Sequence, residues 1–127
     1  MDLLIEQAML TMVYNIANNG KKRCDYECGQ KVKKDANFDI NIRICRANCD
    51  VQWDKQYLTS LQKMLQENPD DKKLQIAGIS KLKYARKRLQ GSMNRLAKAK
   101  QALRVRNSTP PADLSLRPAR PTPINQG

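Results

Sequence analysis

The residues best suited to chemistry here are four cysteines, set as Cys24-X3-Cys28 and Cys45-X3-Cys49 with sixteen residues between the pairs. A spacing of four puts both thiols of a pair on one face of a helix. The numbering is also palindromic. Two antiparallel segments crossing near Ala36 and Asn37 face Cys24 with Cys49 and Cys28 with Cys45 at the same time. Facing, close Cβ atoms are what a disulfide requires. Three chemistries fit the thiols: two nested disulfides, a zinc site built from all four thiolates, or buried thiols with no common role. A redox-active dithiol fits less well, because that motif separates its cysteines by two residues rather than three.

The second chemistry is charge. The chain of 127 residues carries a net +12, but unevenly. Residues 1–71 hold ten Lys/Arg against eleven Asp/Glu, whereas residues 72–106 hold twelve Lys/Arg and no acid. Lys81, Lys83, Arg86, Lys87, Arg88, Arg95, Lys98 and Lys100 are the candidate anion-binding side chains. Concentrated on one helix they repel each other, and an anionic neighbour relieves the repulsion. Nucleic-acid phosphates, anionic lipid and an acidic protein surface all fit that role. Residues 72–127 are therefore expected to order on contact with such a partner. Tyr84 is the only aromatic in the basic segment, so binding to nucleic acid would follow the backbone and not the bases.

Catalysis finds little support. There is no histidine, which removes the commonest general base and metal ligand. No Gly-rich phosphate loop is present, and nothing calls for a cofactor. Asp50 and Asp54 stand i, i+4 beside Arg46 and Lys55, and read as members of surface salt bridges.

The elements that must position these groups read as helices. Over residues 2–18, Ile5, Met9, Met12 and Ile16 form a 4-3-4 stripe. Asn18-Asn19-Gly20 offers a C-terminal stop, and a single longer helix through Gly20 into the first cysteine pair fits as well. Phe38, Ile40, Ile42 and Ile44 alternate with polar residues, so a β-hairpin competes there. Cys45, Cys49, Trp53, Tyr57 and Leu61 recur every four residues and favour a helix, ended by Asn68-Pro69. A third helix follows, with Leu82, Leu89, Leu96 and Leu103 every seven residues. Ile79, Arg86, Met93 and Lys100 hold the companion positions, which makes the seam half apolar. From Asn107 the chain carries five prolines in twenty-one residues and reads as an extended arm. Trp53, Tyr57, Leu61 and the four leucines are the candidate packing surface, for the chain's own core or for partner subunits.

No segment has the length and apolarity of a membrane span. The first lysine is Lys21, so the N-terminus resembles neither a secretory signal nor an Arg-rich transit peptide.

The CX3C-X16-CX3C pattern, with a helix expected on each side, resembles the twin-CX3C small Tim proteins of the mitochondrial intermembrane space. The similarity covers residues 8–65, and Trp53 stands where that family tends to carry an aromatic. The resemblance implies a helical hairpin, an outer Cys24–Cys49 and an inner Cys28–Cys45 bridge, and six-membered rings that chaperone hydrophobic precursors. It also implies a chain imported without a cleavable presequence. The basic helix and proline-rich arm lie outside it.

The sequence thus predicts an all-α protein: a stapled antiparallel helical hairpin over 1–68, a basic amphipathic helix over 69–106 and an extended arm over 107–127. The function expected is that of a non-catalytic structural or assembly subunit of a large complex, oligomeric, in the intermembrane space or a virion. A soluble chaperone and a nonspecific nucleic-acid-binding protein are the alternatives.

Overall fold

The computed structural model describes residues 2–108. The expected arm lies outside the described residues, save that Asn107 and Ser108 belong to the third helix. Three helices account for almost all of it: α1 (Asp2–Lys31), α2 (Phe38–Glu67) and α3 (Lys72–Ser108). There is no strand among the described residues. The central helix α2 packs on α1 along one side and on α3 along the other, while α1 and α3 touch little.

α1 runs without a break through Gly20. A helical glycine costs roughly 1 kcal/mol relative to alanine, and here packing requires it. A Cβ on Gly20 would sit 2.5 Å from the Trp53 ring, so the indole occupies the space that a side chain would fill. The isoleucine-rich stretch from Phe38 is helical and not extended. Ile40, Ala47, Asp54 and Leu61, seven apart, are all buried, and this heptad overrides the local alternation.

The turns are closed by side chains. Asn37 donates its backbone N–H to Asp35 Oδ1 at 2.9 Å between α1 and α2. Asp71 caps α3 by accepting the Leu74 N–H at 3.0 Å. Gln75 reaches back to donate to the Leu65 and Asn68 carbonyls at 2.9 and 2.8 Å, which satisfies the exposed end of α2.

α3 forms one helix docked along α2, and the acids that meet its charge lie within the chain: Asp54, Asp50 and Asp39. The seam uses a different register from the one expected. After Leu74 in its first turn, the residues that bury completely or nearly so are Gly78, Ala85, Ser92 and Ala99, seven apart, while Leu82, Leu89, Leu96 and Leu103 flank them half-buried. Small side chains let the helices approach closely. A Cβ at Gly78 would lie 2.6 Å from Leu65 Cδ2.

Candidate functional site: a staple, a charge cluster and a basic face

Along the hairpin the interior falls into three zones. Nearest the α1–α2 turn, two disulfides join Cys24 to Cys49 and Cys28 to Cys45, with Cα–Cα distances of 5.7 and 5.8 Å. Both lie in the ordinary range. The bridges stack, with Cys28 Sγ 3.6 Å from Cys49 Sγ, and no free cysteine remains. The pairing is the one the palindrome predicts. Beyond Lys21, α1 turns few large apolar side chains inward, so the covalent staple stands where a core would otherwise be. Disulfides fit an oxidising environment.

At mid-height sits a buried charge cluster. Asp54, 2% exposed, accepts from Lys21 Nζ of α1 at 3.0 Å and from Arg88 Nε of α3 at 2.9 Å. The Ser92 hydroxyl donates to its other oxygen and accepts from Arg95 Nη2 at 3.0 Å. Asp50, one turn earlier, lies 3.9 Å from Lys21 and 3.8 Å from Arg95. Arg88 is further held between two tyrosine rings, its guanidinium 5.4 Å from the centre of Tyr14 and 5.9 Å from that of Tyr84. Burial opposes the Arg88 charge, but hydrogen bonding with Tyr14 and the Asp54 carboxylate hold its pKa above the usual guanidinium value. The same hydrogen bond and charge pull the Tyr14 hydroxyl down. The surface salt bridges expected of Asp50 and Asp54 are thus replaced by an interior one. Their partners come from α1 and α3, not from Arg46 and Lys55.

The far end is an apolar core of Leu10, Ala17, Tyr57, Leu61, Met64, Leu65, Leu74 and Ala85. Tyr14 meets Tyr57 edge to face at 5.6 Å, and burial pushes the Tyr57 hydroxyl up. Of the candidate packing residues, Tyr57 and Leu61 belong to this core, and Trp53 covers Gly20 half-buried.

The structure divides the eight candidate anion-binding residues into two groups. Arg88 and Arg95 turn toward Asp54 and Asp50. Lys81, Lys83, Arg86, Lys87, Lys98 and Lys100 are exposed, and none of them is in an ion pair among the described residues. Sequence reasoning missed Ser92 and Lys21. The available signal was the seven-residue step of Gly78, Ala85, Ser92 and Ala99, which marks a polar residue inside a seam.

No group of His, Cys, Asp or Glu among the described residues is arranged to hold a metal ion. No helix among them is long and apolar enough to cross a membrane. No family model matches the chain, nor does any curated protein or solved structure.

Proposed function

We propose that the protein is a non-catalytic structural or assembly subunit of a large complex, docked onto an anionic neighbour through the outward face of α3. The observation that carries this reading is the six exposed cations from Lys81 to Lys100, in no ion pair among the described residues, on a helix that contains no acid. α2 packs along one side of that helix and leaves its far side open. A phosphate-bearing or acidic surface complements it, and the contact weakens steeply with salt. The oxidising compartments that suit the reading are the mitochondrial intermembrane space and an assembled virus or phage particle.

The test is incorporation into the parent assembly by Arg86→Glu/Lys87→Glu, together with salt titration of binding to a simple polyanion such as heparin. Reduced incorporation and a steep salt slope are expected. Normal incorporation, with binding indifferent to salt, would make the charge merely a solvated face.

A small-Tim-like chaperone is the second reading, favoured by nested bridges within a helical hairpin. An aggregation assay on the full oxidised chain separates the two. A chaperone suppresses aggregation of a hydrophobic precursor, whereas the structural subunit does not.

A further inference from the structure

α1 carries a regular apolar stripe that the fold leaves largely uncovered. Ile5, Met12 and Ile16 are 58, 57 and 58% exposed, and Met9 between them is half-buried, one side of it packed on the chain's own core. The inward face is a different set, with Leu10, Ala17, Cys28 and Glu6 buried. Alongside the stripe, Ala8, Thr11, Asn15 and Asn19 are also exposed. From Ile5 to Asn19 the only charged residue is the buried Glu6. Three and a half turns of outward helix face without a charge are unusual for a chain in which 28% of residues are charged. Interface centres are depleted of charge and enriched in methionine.

Two observations choose the occupant. The stripe has the 4-3-4 spacing of a helix–helix seam, and it is palindromic. An antiparallel second copy brings Ile5 against Ile16 and Met9 against Met12, then repeats both contacts on the other side of the twofold axis. Opposing the two seam positions across the pair is how antiparallel seams pack, and a twofold contact must be self-complementary in this way. The net +12 of the chain resists self-association generally. Along α1 this face carries no exposed charge from Ile5 to Asn19, and the charged residues Asp70, Asp71, Lys72 and Lys73 border it only at the Ile5 end.

We infer that α1 is a homodimer interface, in which the Ile5–Met9–Met12–Ile16 stripes of two copies pair antiparallel about a twofold axis between residues 10 and 11. The patch is small, so the dimer is weak, with a dissociation constant on the order of 10 μM. The contact is apolar and is not weakened by salt, which separates it from the docking proposed for α3.

The test is sedimentation velocity on the full chain, from about 1 to about 300 μM. Wild type is expected to pass from monomer to dimer, no less at high salt than at low, because salt screens the repulsion between the two basic chains. Ile5→Lys alone and Ile16→Glu alone each weaken dimerisation at least tenfold, with the melting temperature unchanged because both positions are exposed. An equimolar mixture of the two variants restores the dimer, since the antiparallel register places Lys against Glu. A parallel pair would not do so, because Lys would then meet Ile5 and Glu would meet Ile16. A wild type that stays monomeric throughout overturns the inference. So does a dimer that survives both single variants, or a mixture that remains monomeric.

Discussion

Asp54 and Arg88, thirty-four residues apart in sequence, meet at 2.9 Å and fasten α2 to α3 halfway along the molecule. The same carboxylate oxygen takes Lys21 from α1, so one buried acid ties all three helices. Burying it is costly in itself, and the Ser92 hydroxyl and two cations offset that cost only while all are present. Asp54→Ala leaves Lys21 and Arg88 facing each other without an anion. We expect a loss of about 3 kcal/mol, at the low end for a broken buried pair because both cations keep partial solvent access. Urea unfolding of the variant against wild type measures it.

Two glycines in α1 separate packing from helix propensity. At Gly20 an added methyl group meets the Trp53 ring, whereas at Gly29 the nearest atom is Arg46 Nη2 at 4.0 Å. Gly29→Ala should therefore stabilise by roughly 0.5–1 kcal/mol, as alanine does at an unhindered helical site. Gly20→Ala should destabilise by about 1–3 kcal/mol through overpacking. Thermal melts of the two variants should move in opposite directions.

How much of this is written locally differs from feature to feature. The cysteine pairing is legible because a single antiparallel register sets Cys24 directly opposite Cys49 and Cys28 directly opposite Cys45. The ends of α2 and α3 are legible from Asn68-Pro69 and Asp71. The α3 seam is not, because Gly78, Ala85 and Ser92 have little hydrophobicity to signal burial. Their burial reflects close approach to α2, a property of two helices and not of one. Asp54 is obscured in the same way. Its sequence neighbours Lys55 and Asp50 point to a surface, and only the α3 register shows that Ser92 and Arg88 lie beside it. Gly20 reads as a helix end until Trp53 is seen to fill the space above it.

The disulfides occupy the part of the hairpin where apolar packing is thinnest. The inner bridge closes a loop with a sequence separation of 17. A loop of that size contributes about 3 kcal/mol in the chain-entropy account. Cys28→Ser/Cys45→Ser should lower the melting temperature by roughly 10–20 °C. Unfolding should begin at the α1–α2 turn. Hydrogen exchange should show early loss of protection around residues 24–45 and retained protection around Leu61 and Leu74.

Acid acts on two carboxyls in opposite ways. Hydrogen bonding from Arg106, at 3.0 and 3.1 Å, holds the Asp39 carboxyl below its ordinary value. Its stabilising effect is full above the unfolded value of about 3.9 and is lost as pH falls through the lowered folded value. Burial, with Asp50 nearby, raises the Asp25 carboxyl. That carboxylate opposes folding at neutral pH, and the opposition is relieved as pH falls through its raised value. Asp39→Asn should therefore flatten the loss of stability below about pH 4. Asp25→Asn should raise the melting temperature at pH 7 and have little effect at pH 3.

Arg86, Lys87 and Arg88 are consecutive cations whose reversal should have different consequences. Arg86 and Lys87 are exposed and in no ion pair among the described residues, whereas Arg88 turns inward onto Asp54 between Tyr14 and Tyr84. Arg88→Glu places a second carboxylate against a buried one and removes the cation from both rings. It should destabilise the fold by about 3–5 kcal/mol, the range for breaking a buried pair. Arg86→Glu/Lys87→Glu should leave the melting temperature within a few degrees of wild type and reduce binding to a polyanion. Measured together, the melts and the salt titrations assign the two roles. Equal loss of binding without loss of stability in both variants would place Arg88 in the outward set and remove it from the Asp54 cluster. Loss of stability in both would mean that the exposed cations, too, are held by the fold.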